Sequence, residues 1–177
     1  KGDFLMAMDG ILDSADLEFG GFGTAPKFPP SMALDFLLSM RNTSTLESRY
    51  PEKLEAIDDA VNRTLTGMAH GGIFDQVGGG FARYSVDQHW LIPHFEKMLY
   101  DNALLIDIFS KAHQRYPKPL YRKVVEETIE WLNREMRSSQ GAYYASLDAD
   151  TNGEEGATYV WSPEEVEAVL GEESGKA

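Results

Sequence analysis

The sequence predicts a mainly all-α fold of about three helical hairpins, bent into part of a larger ring. Three observations predict it. Apolar residues recur at helical spacing almost throughout the chain. Long glycine-bearing connections alternate with short ones. The residues able to do chemistry collect in the long connections, which helices running up and down would gather at one end.

The first helix is expected over about 3–17, where Phe4, Leu5, Met8, Ile11 and Leu12 form one stripe. The second covers about 31–41 and starts at Ser31, a fair N-cap after Pro29 and Pro30. The third, about 52–69, follows Pro51 and stops before Gly71 and Gly72. The fourth, about 93–116, has Pro93 in its first turn and Pro117 beyond its end. The fifth spans about 119–138. The sixth, about 163–170, opens on a capping box, with Ser162 as N-cap and Glu165 as its partner.

Connections 18–30, 70–92 and 139–162 are long, whereas 42–51 and 117–118 are short, as antiparallel hairpins require. The long ones open alike, "GGFG" at 20, "GGIF" at 71 and "GAYY" at 141, a weak internal repeat. The last of them alternates enough to predict a small β-hairpin near 141–161. A closed ring needs more hairpins than these, so residues 1–177 are expected to form one fragment of a larger toroid. Its apolar flanks would then favour self-association.

Composition excludes several function classes. The 177 residues carry 16 basic and 29 acidic side chains, a net charge of −13, and no basic stripe. Neutralising phosphates takes Lys and Arg, so nucleic acid is not an expected partner. No apolar run reaches membrane-spanning length and nothing is basic and amphipathic, so no membrane partner is expected. The absence of cysteine removes disulfides and thiol chemistry and fits a cytoplasmic location. The four histidines lack metal-ligand spacing, and no cofactor or metal is expected.

The densest chemistry lies in "GGGFARYSVDQHWLIPHFEKMLYDN" at 78–102. Read as a helix start, it puts His94 and Asp101 on one face and Glu96 and Tyr100 on another. A macrodipole argument alone accounts for Glu96 but not for the whole group. Aromatics beside carboxylates, amides and Arg suit a sugar, which offers a flat apolar face and a rim of hydroxyls. On that basis Glu96 or Asp101, paired with Asp148 or Asp150 from the third loop, are candidate catalytic carboxyl groups. His94 is the alternative proton carrier. Gln76, Arg83, Lys97, Asn102 and Lys27 are candidate hydroxyl contacts, and Tyr84 and Trp90 candidate stacking surfaces. The stretch "DADTNGEEG" at 148–156 begins like a calcium loop, but Tyr159 stands where an EF-hand requires Glu. A plain acidic turn is the simpler reading.

The stretches "GGFGTAPKFP", "GGIFDQVGGGFARYSVDQHWLIPHFEKMLYDNA" and "YYASLDADTNGEEGATYVW" closely resemble the thioredoxin-domain-containing family of spermatogenesis-associated protein 20. The resemblance implies the first half of a six-hairpin (α/α)6 toroid akin to glycosidases and N-acylglucosamine 2-epimerases. It also implies two partners within the full-length protein, the other half of the ring and a thioredoxin-like domain. The expected function is carbohydrate-directed, glycoside hydrolase-like or epimerase-like, with a sugar or glycan as ligand. The alternative is a non-catalytic module that presents a groove to a protein or peptide.

Overall fold

The computed structural model describes residues 2–171. Its helices are α1 (Gly2–Asp13), α2 (Ser31–Arg41), α3 (Ser44–Arg49), α4 (Pro51–His70), α5 (Leu99–Arg115), α6 (Pro119–Trp131) and α7 (Pro163–Leu170). Two-residue strands are β1 (Tyr84–Ser85), β2 (Pro93–His94), β3 (Lys97–Met98), β4 (Ser146–Leu147), β5 (Asp150–Thr151) and β6 (Glu154–Glu155). None of the described helices is long and apolar enough to cross a membrane.

Helices α2 and α4 form one hairpin and α5 and α6 the next. Across the hairpins α2 packs on α5 and α4 on α6, while α1 lies against α2 and α4. Two layers result, with α2 and α5 in one and α1, α4 and α6 in the other. The core between them is filled by Leu34 and Leu37, Ile57, Val61 and Leu65, Leu105 and Phe109, and Tyr121 and Val124. Fully burying side chains of this size contributes roughly 1.5–3 kcal/mol each.

Four elements differ from the expectation. The predicted first helix ends at Asp13, and the chain folds back so that Ala15 pairs with Phe22. The connection 42–51 holds α3, seated by buried Leu46. The predicted fifth helix leaves α geometry at Trp131 and continues as a wider π turn, Leu132–Met136, which buries both Leu132 and Met136. The predicted fourth helix begins six residues late. Residues 93–98 are extended because neighbouring loops supply their hydrogen bonds. Tyr84 pairs with His94, Arg83 N–H donates to Glu96 O, and Lys97 pairs with Leu147. The small hairpin near 141–161 is β5–β6 alone. Its turn residues Asn152 (φ +55°) and Gly153 (φ +81°) provide the positive dihedrals of a two-residue hairpin loop.

The long loops do gather at one end. The first is tied to the second by pairing of Lys27 with Ser85, and the second to the third by β3–β4. The internal repeat is also real, but its partners differ from those read in the sequence. Gly71 and Gly72 simply follow α4. The counterpart of Asp16–Phe22 is Asp75–Phe81. In both, the Asp N–H bonds the carbonyl of the second glycine, Gly21 or Gly80, at 2.9 and 3.0 Å. In both, the Asp carboxylate accepts the N–H groups two and three residues on. Both glycine pairs have φ between +77° and +83°, a region that favours glycine.

Candidate functional site

Where loops meet, residues 93–98 alternate as a strand does, and this sorts the chemistry onto two sides. His94 and Glu96 face one side, Phe95 and Lys97 the other.

On the first side, Arg83 donates to Glu96 at 2.8 Å. His94 stands between two carboxylates. Its Nδ1 lies 2.8 Å from Glu155 Oε1 and its Nε2 lies 3.7 Å from Glu96 Oε2. Because a carboxylate only accepts, the Nδ1 position carries the proton. The His94 ring stacks on Tyr84 with centroids 4.8 Å apart, and Tyr84 in turn contacts Phe28 at 4.7 Å. Phe28 remains exposed. Asp101, in the first turn of α5, completes the group. Burial pushes its carboxyl up to about 6, opposed by Arg83 and reinforced by Glu96. Its Oδ2 and Arg83 Nε are buried without a hydrogen-bond partner. Asp101 also lines a cavity of 280 Å³ with Pro29, Pro30, Ser31, Met32, Ala33 and Leu104.

The structure therefore brings together five of the sequence-predicted residues: Arg83, Tyr84, His94, Glu96 and Asp101. Asp148 and Asp150 are exposed, and Asp148 Oδ1 accepts the Asp150 N–H. The third loop reaches the group through Glu155, which pairs across the hairpin with Asp150. Phe28 and Glu155 carried no signal of their own. The only sequence cue to Glu155 was the Asn-Gly turn, which sets the register of β5 and β6.

The remaining candidates are held by the loops themselves. Lys27, 2% exposed, donates to Asp16 at 2.5 Å and to Gly20 O at 2.7 Å, with its ammonium over the Trp90 ring. Lys97, 3% exposed, donates to Asp75 and to Gly79 O, both at 2.9 Å, over Trp131 and Tyr159. Desolvation pushes the Lys97 ammonium down, against the attraction of Asp75. Burial pushes Asp16 and Asp75 up. Hydrogen bonds from the partner lysine and nearby backbone N–H groups more than offset it, and both carboxyls sit below their ordinary value. Trp90 is fully buried and its indole N–H donates to Phe19 O at 3.0 Å. Asn102 clamps Phe81 by both its N–H and its C=O, at 2.7 and 3.1 Å. Gln76 donates to Ala69 O and Gly71 O at the end of α4.

No family model matches the chain. Among solved structures, a cellobiose 2-epimerase from Spirochaeta thermophila superposes with a TM-score of 0.64 at 20% identity, covering 83% of this chain and 39% of that one. A sugar epimerase from a ruminal bacterium gives 0.65 at 14% identity, covering 86% and 43%. These likenesses show the fold, a partial (α/α)6 toroid. Among curated proteins, mouse spermatogenesis-associated protein 20 is 40% identical over 163 residues, 89% of this chain and 20% of the relative. The human protein matches over the same extent at 40%. The chain spans about one fifth of the length of these relatives. It is thus a homologue, over that fifth, of the spermatogenesis-associated protein 20 family, folded as an arc of an (α/α)6 toroid.

Proposed function

We propose that this arc forms one wall of a carbohydrate-binding mouth that moves a proton at its ligand, in the manner of an epimerase or glycoside hydrolase. The observation that carries the reading is the group of Arg83, Tyr84, His94, Glu96 and Asp101 at the loop end of α5. Two carboxyl groups there have opposite surroundings. Glu96 is held by a guanidinium. Asp101 is desolvated, so its proton comes and goes near pH 6. An ionised carboxylate beside a weak acid is what acid–base chemistry on a sugar hydroxyl or ring carbon requires. The exposed Phe28 ring, at the end of the aromatic row, offers a face for stacking. The likeness to the two solved sugar epimerases supports a sugar ligand by analogy of fold. In this reading the remaining hairpins and a thioredoxin-like domain are partners within a longer protein.

Saturation-transfer NMR with a panel of neutral mono- and disaccharides tests it. Binding that is lost or altered in Glu96→Gln and in Asp101→Asn is the expected result. No binding by any sugar, with both variants indistinguishable from the parent, overturns it. The pairing of Glu96 with Arg83 favours the second reading, a protein- or peptide-binding module. Peptide-library binding that survives both substitutions supports that alternative.

A further inference from the structure

The cations around the mouth are already used. Lys27 is paired with Asp16, Lys97 with Asp75 and Arg83 with Glu96. The anions are in excess. Arg83 and His94 face Glu96, Glu155 and Asp101, so with Asp101 ionised the group is net negative whether or not His94 carries a proton. Among the described residues, Asp101 has no cation in hydrogen-bond contact, and its Oδ2 is buried without a partner. The cavity it lines holds no other charged side chain. Its remaining walls are proline, serine, methionine, alanine and leucine, which cannot compensate a carboxylate. A ligand phosphate brought here would meet like charge, with no free Lys or Arg among the described residues of the mouth to receive it. A ligand ammonium would supply the missing counterion.

From this we infer that the mouth selects a sugar bearing a free amine, its ammonium paired with Asp101, and rejects phosphorylated sugars. The inference rests on the carbohydrate reading above and narrows it. The charged groups acting on Asp101 are Arg83, which precedes β1, and Glu96 from the extended segment. The first turn of α2 contributes no charge to the cavity. Because the Asp101 carboxyl lies near 6, selectivity should be present at pH 7 and shrink as pH falls through 6 and the carboxyl takes up its proton.

The test compares glucosamine, glucose, N-acetylglucosamine and glucose 6-phosphate by titration calorimetry or ligand-observed NMR at pH 7 and pH 5. Glucosamine should bind about tenfold tighter than glucose at pH 7, as a charge-assisted hydrogen bond allows. N-acetylglucosamine, which keeps the ring but loses the charge, should match glucose, and glucose 6-phosphate should bind weakest. Asp101→Asn is nearly isosteric, and its folding is checked by circular dichroism. It should erase the preference for glucosamine over glucose, whatever its effect on the affinity for glucose itself, since the charge that sets the preference is removed. Equal binding of glucosamine and glucose overturns this inference but leaves the carbohydrate reading intact. So does a preference that persists in Asp101→Asn, or tighter binding of the phosphate. If none of the sugars binds, both fall.

Discussion

The two lysine boxes follow one plan and fill it differently. In the first, the turn that carries Asp16, the partner of Lys27, packs on α4; in the second, the turn that carries Asp75, the partner of Lys97, packs on α6. Gly20 approaches the α4 backbone at Arg63 and Thr64 so closely that a Cβ there would come within 2.7 Å of Thr64 Cα, and Gly79 meets the α6 backbone at Glu127. Thr64 and Thr128, 64 positions apart, are both buried and each bonds the carbonyl four residues back. Three residues further on the helices diverge. Position 67 is glycine, and the indole of Trp90 from the second loop lies against it. Position 131 is tryptophan itself. Each box needs an indole over its ammonium, yet one takes it from a loop and the other from a helix. The difference shows that a buried ammonium fixes the volume and electrostatics of its surroundings more tightly than the chain route that supplies them. It also locks the first loop to the second, whereas the second box borders a 280 Å³ cleft lined by Tyr159 and Trp161.

Lys27→Met and Lys97→Met would test this contrast with the largest expected effect. Removing one partner of a buried pair costs about 3–5 kcal/mol, because the carboxylate is left uncompensated. The loss, read from denaturant unfolding, should be greater at Lys27, whose box is closed, than at Lys97, which borders the cleft. The reverse order would break the comparison. Gly21→Ala and Gly80→Ala come next. Both sites have φ near +80°, and a Cβ would lie 2.7 Å from the Trp90 ring or 2.6 Å from the Trp131 ring. Each should lose about 1–3 kcal/mol in thermal unfolding, and the two losses should agree, since the backbone turn is shared. The smallest effect concerns acid. Asp16 and Asp75 both lie below their ordinary value of 3.8, so their contribution is complete above that pH and drains away as pH falls below it. Asp16→Asn and Asp75→Asn should each flatten the dependence of stability on pH between about 4 and 2. A slope unchanged in either variant would remove that box from the account.

Much of the helical frame was legible. The stripe of α1, the Pro51 that opens α4 and the Ser162 capping box all act locally, within a turn or two. The stretch 93–98 was not legible, because its extended form depends on hydrogen bonds from residues 83–86 and 146–147. Read as a helix, His94 shares a face with Asp101. Read as the strand it is, His94 shares a side with Glu96, and Asp101 joins them only through α5. Polar residues in the long loops also looked alike in sequence. Lys27, Lys97, Gln76 and Asn102 hold the loops together, while Arg83, His94 and Glu96 line the mouth. Nothing local distinguishes them, since each role depends on a partner 5 to 61 residues away.

By itself the sequence determined the helical period, the alternation of long and short connections, and the stretch in which the chemistry would lie. Those properties come from side-chain spacing and backbone dihedral preferences, which operate over a few residues. Only the tertiary structure decided which carboxylates would be neutralised and which left bare. Charge compensation depends on distance and desolvation between segments far apart in the chain, and a linear order of residues carries neither quantity.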